Sequence, residues 1–430
     1  MPPSVRTLSH PMAVSSTHAT DTQSGGGGCG VGGGLLFVLI LIILVVIILA
    51  SRRGRDRAKV ESDTAVAEKA LADLVARDPS FSKQAFAERT RATMQKVNDA
   101  WIRGDMSPVR RLISDGVYVR FQTQLALLRQ GGLRNAMADW KPTAQEILAA
   151  DTDASWDTVH VKVAAEARDA DVAANLPEAE ALKQAKSASL ESYEEVWSFV
   201  RRRGQKTKAG VPALEGNCPN CGAPLELGEV VKCKQCGALA NSGEHDWVLA
   251  EITQPEEWSP MQAGAEIDGL AGLRVRDANI SRQELEDRAS VIFWKWIDAI
   301  VTGDRKRLER FCLTAGQPGV EKLALTQVAV GSAEIEFVKP GDDQLDHAGV
   351  EIRWSASVGG KATAFVSELL IARRQDALSK RGMSSLDCPN CGAPAKETDA
   401  VQCSYCGEKF AGGKKEWSLE SISLTEQVDV

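Results

Sequence analysis

Histidine is scarce in this 430-residue chain, with five in all: His10, His18, His160, His245 and His347. None has a partner at a recognisable spacing, and each reads as a solvated or hydrogen-bonded side chain. Also missing are a G-x-S-x-G nucleophile turn, a phosphate-binding glycine loop and a dinucleotide fingerprint, which removes the commonest hydrolase and nucleotide chemistries. Positive charge is short as well. The net charge is −7 overall and −11 over residues 60–430, which argues against general affinity for phosphate backbones. The remaining composition (43% hydrophobic, 25% charged, 5% aromatic) is that of an ordinary globular chain, neither wholly disordered nor collagen-like. The length allows about two to four domains.

One apolar run stands out. Leu35 to Ala50 carries no polar side chain, and with Val31 to Gly34 it makes an uncharged stretch of twenty residues. That length matches a bilayer core of about 30 Å at 1.5 Å per helical residue. Arg52, Arg53, Arg55, Arg57 and Lys59 follow it, against Asp56 alone. This predicts a single transmembrane helix over 31–50 with its C-terminal side in the cytoplasm and its N-terminus outside the inner membrane. A cleaved signal peptide fits less well, because the charge follows the apolar block and no small-residue cleavage site comes after it. Residues 1–30, rich in Gly, Ser and Thr, read as a flexible leader.

Eight of the ten cysteines form two matching sets. Cys218, Cys221, Cys233 and Cys236 make C-P-N-C, eleven residues beginning with Gly222, then C-K-Q-C-G; Cys388, Cys391, Cys403 and Cys406 make C-P-N-C, eleven residues beginning with Gly392, then C-S-Y-C-G. A two-residue spacer lets two sulfurs converge on one ion, and the glycine after it permits the turn. Two such knuckles supply four thiolates, the ligand set of a closed zinc site. We therefore expect two structural zinc ions per chain, with disulfides disfavoured in a reducing compartment. Cys312, alone in an apolar helical pattern, reads as a core residue.

The cysteine sets are offset by 170 residues, as are Trp247 and Trp417; upstream, Asp78 to Lys83 aligns with Asp277 to Arg282 at an offset of 199. The soluble part is thus a unit occurring twice, the first copy longer by 29 residues, most of them in the Ala/Glu/Lys-rich stretch Asn175 to Leu190. In each unit a helical pattern (Phe86, Met94, Val97, Trp101; Leu285, Ala289, Ile292, Trp296, Ile300) starts at a capping serine, Ser82 or Ser281. It ends at Gly104-Asp105 or Gly303-Asp304. Alternating strands follow, centred on Val159, Val161 and Val163 and on Val350, Ile352 and Trp354, with last strands over Val196 to Val200 and Leu369 to Ala372. Helices followed by an antiparallel meander predict an α+β domain.

The first unit resembles the Tim44-like domain family. The resemblance is carried by Asp78-Pro79-x-Phe81 to Phe86, Ala100-Trp101-x-x-Gly104-Asp105, Leu112 through Gln124-Leu125, and Tyr193-Glu194-Glu195-Val196-Trp197-Ser198-Phe199-x-Arg201. It covers roughly residues 65–203; the second unit matches more loosely and lacks the last tyrosine and tryptophan. The resemblance implies a curved sheet wrapped by helices, similar to nuclear-transport-factor-like cones, and binding at a membrane surface. For the mitochondrial members it also implies recruitment of a chaperone to an import channel. The zinc ribbons depart from the mitochondrial pattern.

The expected architecture is then a leader (1–30), a transmembrane helix (31–50) and a basic juxtamembrane segment with helical linker (51–77). A first Tim44-like domain (78–210) is followed by a zinc ribbon (211–252) and a linker (253–276). A second such domain (277–381) and a second ribbon (382–424) complete it. The function expected is a non-enzymatic, membrane-tethered adaptor that binds a protein partner. Arg52, Arg53, Arg55, Arg57, Arg201, Arg202 and Arg203 are its candidate contacts to anionic lipid. A nucleic-acid-binding ribbon protein is the first alternative, disfavoured because both ribbons carry more acids than lysines. An enzyme with a pocket in a cone-like domain, using Glu194, Glu195 or Asp157, is the second.

Overall fold

The computed structural model describes residues 68–426 except 209–211, 226–230, 259–266, 381, 384–385 and 394–399. The leader, the apolar segment 31–50 and the cations Arg52, Arg53, Arg55 and Arg57 lie outside the described residues. Among the described residues no helix is long and apolar enough to cross a membrane.

After a helix over 68–77 (α1), the first long helix is Lys83–Arg103 (α2). Ser82 starts it, its Oγ accepting from the Ala85 N–H at 3.3 Å, and Gly104 ends it in the left-handed region at φ 66°. A short 3-10 turn, Ser107–Val109, leads to α3, Asp115–Gln130. Two long strands follow, β1 Leu133–Thr152 and β2 Trp156–Ala173, then α4 Glu178–Ser187 and β3 Leu190–Arg202. The Ala/Glu/Lys-rich excess is thus a helix; Ala181 and Ala185 pack it against Ala136, Ala138 and Val172 of the sheet. The second half repeats the plan: α5 Arg282–Thr302, capped by Ser281 and closed by Gly303 at φ 74°, then β5 Leu325–Pro340, β6 Leu345–Val358 and β7 Lys361–Arg374.

The ribbons do not terminate these units, as the sequence reading expects. After each ribbon the chain returns as one more strand: β4 Val248–Thr253 pairs antiparallel with β3, and β8 Ser418–Ile422 with β7. Both sheets are antiparallel, ordered β1-β2-β3-β4 and β5-β6-β7-β8, with β9 Thr425–Glu426 also on β7. Each returning strand is clasped on its other side too. Leu249 bonds to Leu112 and Ser114, and Leu419 to Phe311 and Leu313. Part of the expected linker is structured as well: Leu270 and Leu273, on the short helix Leu270–Arg274, are buried, and the Val338 N–H donates to the Asp268 carbonyl at 2.8 Å.

Alternation decides which face of the first sheet packs where. Val159, Val161 and Val163 with Trp197 and Phe199 point to α2, where Phe86 meets Phe199 edge-on at 5.4 Å. The opposite face turns to the second half: Trp156 Nε1 donates to Ser281 Oγ at 2.9 Å, and Gln283 Nε2 to Thr158 Oγ1 at 3.2 Å. Helix α3 lies against α5, buried along most of its length, and Gln124 reaches the Val328 carbonyl of β5. The contact is closest at Gly116, whose N–H donates to Asp287 Oδ1 at 2.8 Å. A Cβ there would sit 2.7 Å from that oxygen and 3.0 Å from the Asp287 carbonyl. One buried apolar cluster therefore runs through both halves, from Phe86 and Trp101 to Phe293 and Trp354.

Candidate metal centres

Each knuckle is built by its backbone. The Gly222 N–H returns to the Cys218 carbonyl and the Cys218 N–H to the Ala223 carbonyl; Cys233, Gly237 and Ala238 repeat this. Gly222, Gly237, Gly392 and Gly407 all hold positive φ (77°, 75°, 65° and 74°), which the turn requires. Antiparallel bridges close each knuckle on itself, Asn217 with Pro224 across the first and Lys232 with Leu239 across the second.

The sulfurs converge as the spacing predicts. Cys218, Cys221, Cys233 and Cys236 hold their Sγ atoms within 4.8 Å of one another, and so do Cys388, Cys391, Cys403 and Cys406. The contacts Cys218–Cys236, Cys221–Cys233, Cys388–Cys406 and Cys391–Cys403 are each 3.7 Å. A tetrahedron with metal–sulfur bonds of about 2.3 Å has edges of about 3.8 Å. The separation is far from a disulfide bond, and all eight thiols are free. Two four-cysteine clusters able to hold one metal ion each are thus part of the fold. In each, one cysteine of a knuckle is buried and the other exposed. The environments differ accordingly. Burial pushes the Cys218 and Cys388 thiols up to about 12, whereas backbone N–H groups of Ala238 and Glu408 bring Cys236 and Cys406 down to about 6. Four thiolates cannot share so small a space without a cation, so the donor set fits a divalent ion.

Two supporting side chains were not singled out from the sequence. Asn220 Nδ2 donates to Cys236 Sγ at 3.5 Å, and Asn390 Nδ2 to Cys406 Sγ at 3.6 Å. Their signal was the asparagine recurring in both C-P-N-C segments; bonds of this kind orient ligands.

The candidate lipid contacts beyond β3 fare differently. Arg201 is buried at 1% exposure, donates to Asp78 Oδ2 at 2.9 Å and lies 4.3 Å over the Trp247 ring. It is a core cation and not a surface one. Arg202 stacks on Trp156 and donates to Asn279. Arg203 is exposed, its guanidinium donating to the Asp153 carbonyl and its backbone N–H to the Ser155 carbonyl. The second half repeats the buried pair, with Arg373 on Asp277 at 2.8 Å and over Trp417.

The residues considered for acid–base work do not come together. Asp157 pairs with Arg77 at 2.8 Å, Glu194 with Lys162 at 2.8 Å, and Glu195 accepts from Trp197 Nε1 at 2.8 Å. His347 lies between Glu420 and Asp343, and His245 stands 3.8 Å from Glu244. His160 is not solvated: it is 4% exposed, its Nδ1 sits 2.9 Å from Ser198 Oγ, and burial lowers its pKa to about 3, so the ring is neutral. Cys312 is fully buried and its thiol pushed up to about 11, as suits a core residue.

Residues 67–210 match the model of the Tim44-like domain family. A solved structure described as an "Ntf2 like protein involved in plasmid conjugation" aligns over 78% of this chain and 99% of its own, at 10% identity and a TM-score of 0.18, which carries no structural argument. No curated protein matches the chain.

Proposed function

We propose that the chain is a non-enzymatic adaptor, tethered to the inner membrane by the apolar segment 31–50, that holds a protein partner at the cytoplasmic face. Each four-cysteine cluster carries one structural zinc ion. Four protein sulfurs complete a tetrahedron and leave no position for water or substrate. The observation that carries the reading is the placement of the ribbons. They lie side by side, Lys232 Nζ donating to the Gly392 carbonyl at 3.2 Å, and their roots share Asp115, which accepts from Asn241 Nδ2 at 2.8 Å and from the Leu386 N–H at 2.7 Å. The two metal modules therefore offer one joint surface, and Tyr405 and Val401 of the second module are exposed. Tethering raises the local concentration of such a surface toward a membrane-bound partner. The cations at 52–57, with Arg203, remain for anionic head groups.

The experiment is photo-cross-linking in intact cells from position 405, with a second probe at exposed Glu146 on the far sheet edge. A protein product that recurs from 405 and is absent from 146 supports the adaptor. Only background from both positions overturns it.

A further inference from the structure

A cavity of about 300 Å³ lies where the outer face of the first sheet and α3 meet α5 and β5 of the second half. It is separate from the metal centres and made jointly by the two halves. Six carboxylates line it against two guanidinium groups. Glu251 comes from β4, Glu286 from α5 and Glu334 from β5. The two arginines do not balance them. Arg282 is engaged by Asp151 at 2.6 Å as well as by Glu286 at 3.8 Å, and Arg120 donates to the Ile252 carbonyl at 2.8 Å. Burial raises Glu251 to about 7, and burial, with the neighbouring acids adding to it, holds Glu286 well above the ordinary carboxyl range. Such groups gain most from a counter-cation.

A second observation points into the same space. His160 borders the cavity with its ring buried, and among the described residues its Nε2 has no hydrogen-bond partner. The Oε1 of Gln283, also buried at the wall, lacks one too. Trp258, its ring 5.5 Å from that of His160, and Trp294 supply aromatic walls, which attract organic cations. A bare metal ion does not fit. Among the described residues only the two cysteine sets bring three or more ligand atoms within 4.8 Å of one another. These carboxylates are spread, as suits a ligand with separated positive charges.

We propose that the cavity between the halves binds a small linear diamine, its ammonium groups received by Glu251, Glu286 and Glu334 and its methylene chain by the tryptophan walls. The His160 Nε2, an acceptor in the tautomer that donates from Nδ1, takes a hydrogen bond from one ammonium.

The test is calorimetric titration of the full-length chain with α,ω-diamines of three to six carbons, with 1,4-butanediol and Mg²⁺ as controls. One diamine per chain is expected to bind, with a best chain length. The diol should not bind, and Glu286→Gln should weaken the diamine by about tenfold or more, the loss of one charge-assisted hydrogen bond. Glu334→Gln, at the more open wall, guards against a variant that misfolds, and bound metal per chain reports folding for both. Absence of diamine binding, equal binding of the diol, displacement of the diamine by Mg²⁺, or affinity unchanged in both folded variants would each overturn the proposal.

Discussion

A buried arginine with an aspartate and a tryptophan occurs twice in this molecule, and its chemistry is the same both times. Burial alone would raise the Asp78 carboxyl, yet hydrogen bonds from Thr207 and the Arg201 guanidinium hold it below the ordinary range. Ser379 and Arg373 do the same for Asp277. Removing one member of a buried pair leaves an uncompensated charge, at about 3–5 kcal/mol. Asp78→Ala is expected to lose that much in urea unfolding. Asp277→Ala is expected to lose less, because Asp346 also stands 4.0 Å from Arg373. The sign of the pH effect follows from the lowered values. The stabilisation is complete above the unfolded carboxyl pKa, near 4, and is lost as pH falls through the depressed native one. Asp78→Asn should therefore flatten part of the acid limb of the melting-temperature profile; an unchanged limb would contradict the pairing. Nothing in the run Arg201-Arg202-Arg203 distinguishes its buried first member from its exposed third. Residues two apart share a strand face, so parity does not decide it; the strand ends at Arg202, and Asp78, 123 residues earlier, receives Arg201.

The ribbons are the element on which local sequence says most. A two-residue spacer and a glycine fix each knuckle within a few bonds, with a proline added in the first knuckle of each ribbon, and the sulfurs meet where the spacing places them. Exhaustive chelation is expected to release two zinc ions per chain, and Cys233→Ser or Cys403→Ser to lower the count by one each, read by elemental analysis. One or no ion in the native chain would contradict the assignment. Asn220→Ala should weaken only the first site, by about tenfold, in chelator competition. The strand that follows each ribbon was harder to see. Val248–Thr253 and Ser418–Ile422 are short, and each lies beside a metal module whose pattern dominates the segment. Their partners are strands that precede the ribbons in the chain. Amide exchange at Cys218 and Cys233 should accelerate on chelation, while Val159 and Val161, on the central strand β2, keep their protection.

On the scale of the whole molecule, the two copies are not beads on a string. Helix α3, which only the first copy possesses among the described elements, is covered by α5 and β5 of the second. A chain cut after residue 258 would expose that helix and the outer face of the first sheet, and is expected to aggregate or melt well below the full chain. Gly116→Ala tests the contact directly. Replacing a helical glycine by alanine ordinarily gains about 1 kcal/mol. Here the added carbon meets Asp287 at 2.7 Å and its backbone oxygen at 3.0 Å, and overpacking of this kind costs about 1–3 kcal/mol. A lower melting temperature is expected, and a raised one would show that the halves separate freely.

Ser82, Ser281, Gly104 and Gly303, the eight cysteines and the doubling of the unit were legible in the residues alone. A cap, a knuckle and a repeat are all written in short spacings that the backbone converts directly into shape. The interior position of Arg201 and Arg373, the insertion of each ribbon before a last strand and the acid-lined cavity between the copies emerged only in three dimensions. Each depends on which distant surface covers a given face, and burial, unlike a turn, is a property that no neighbouring residue carries.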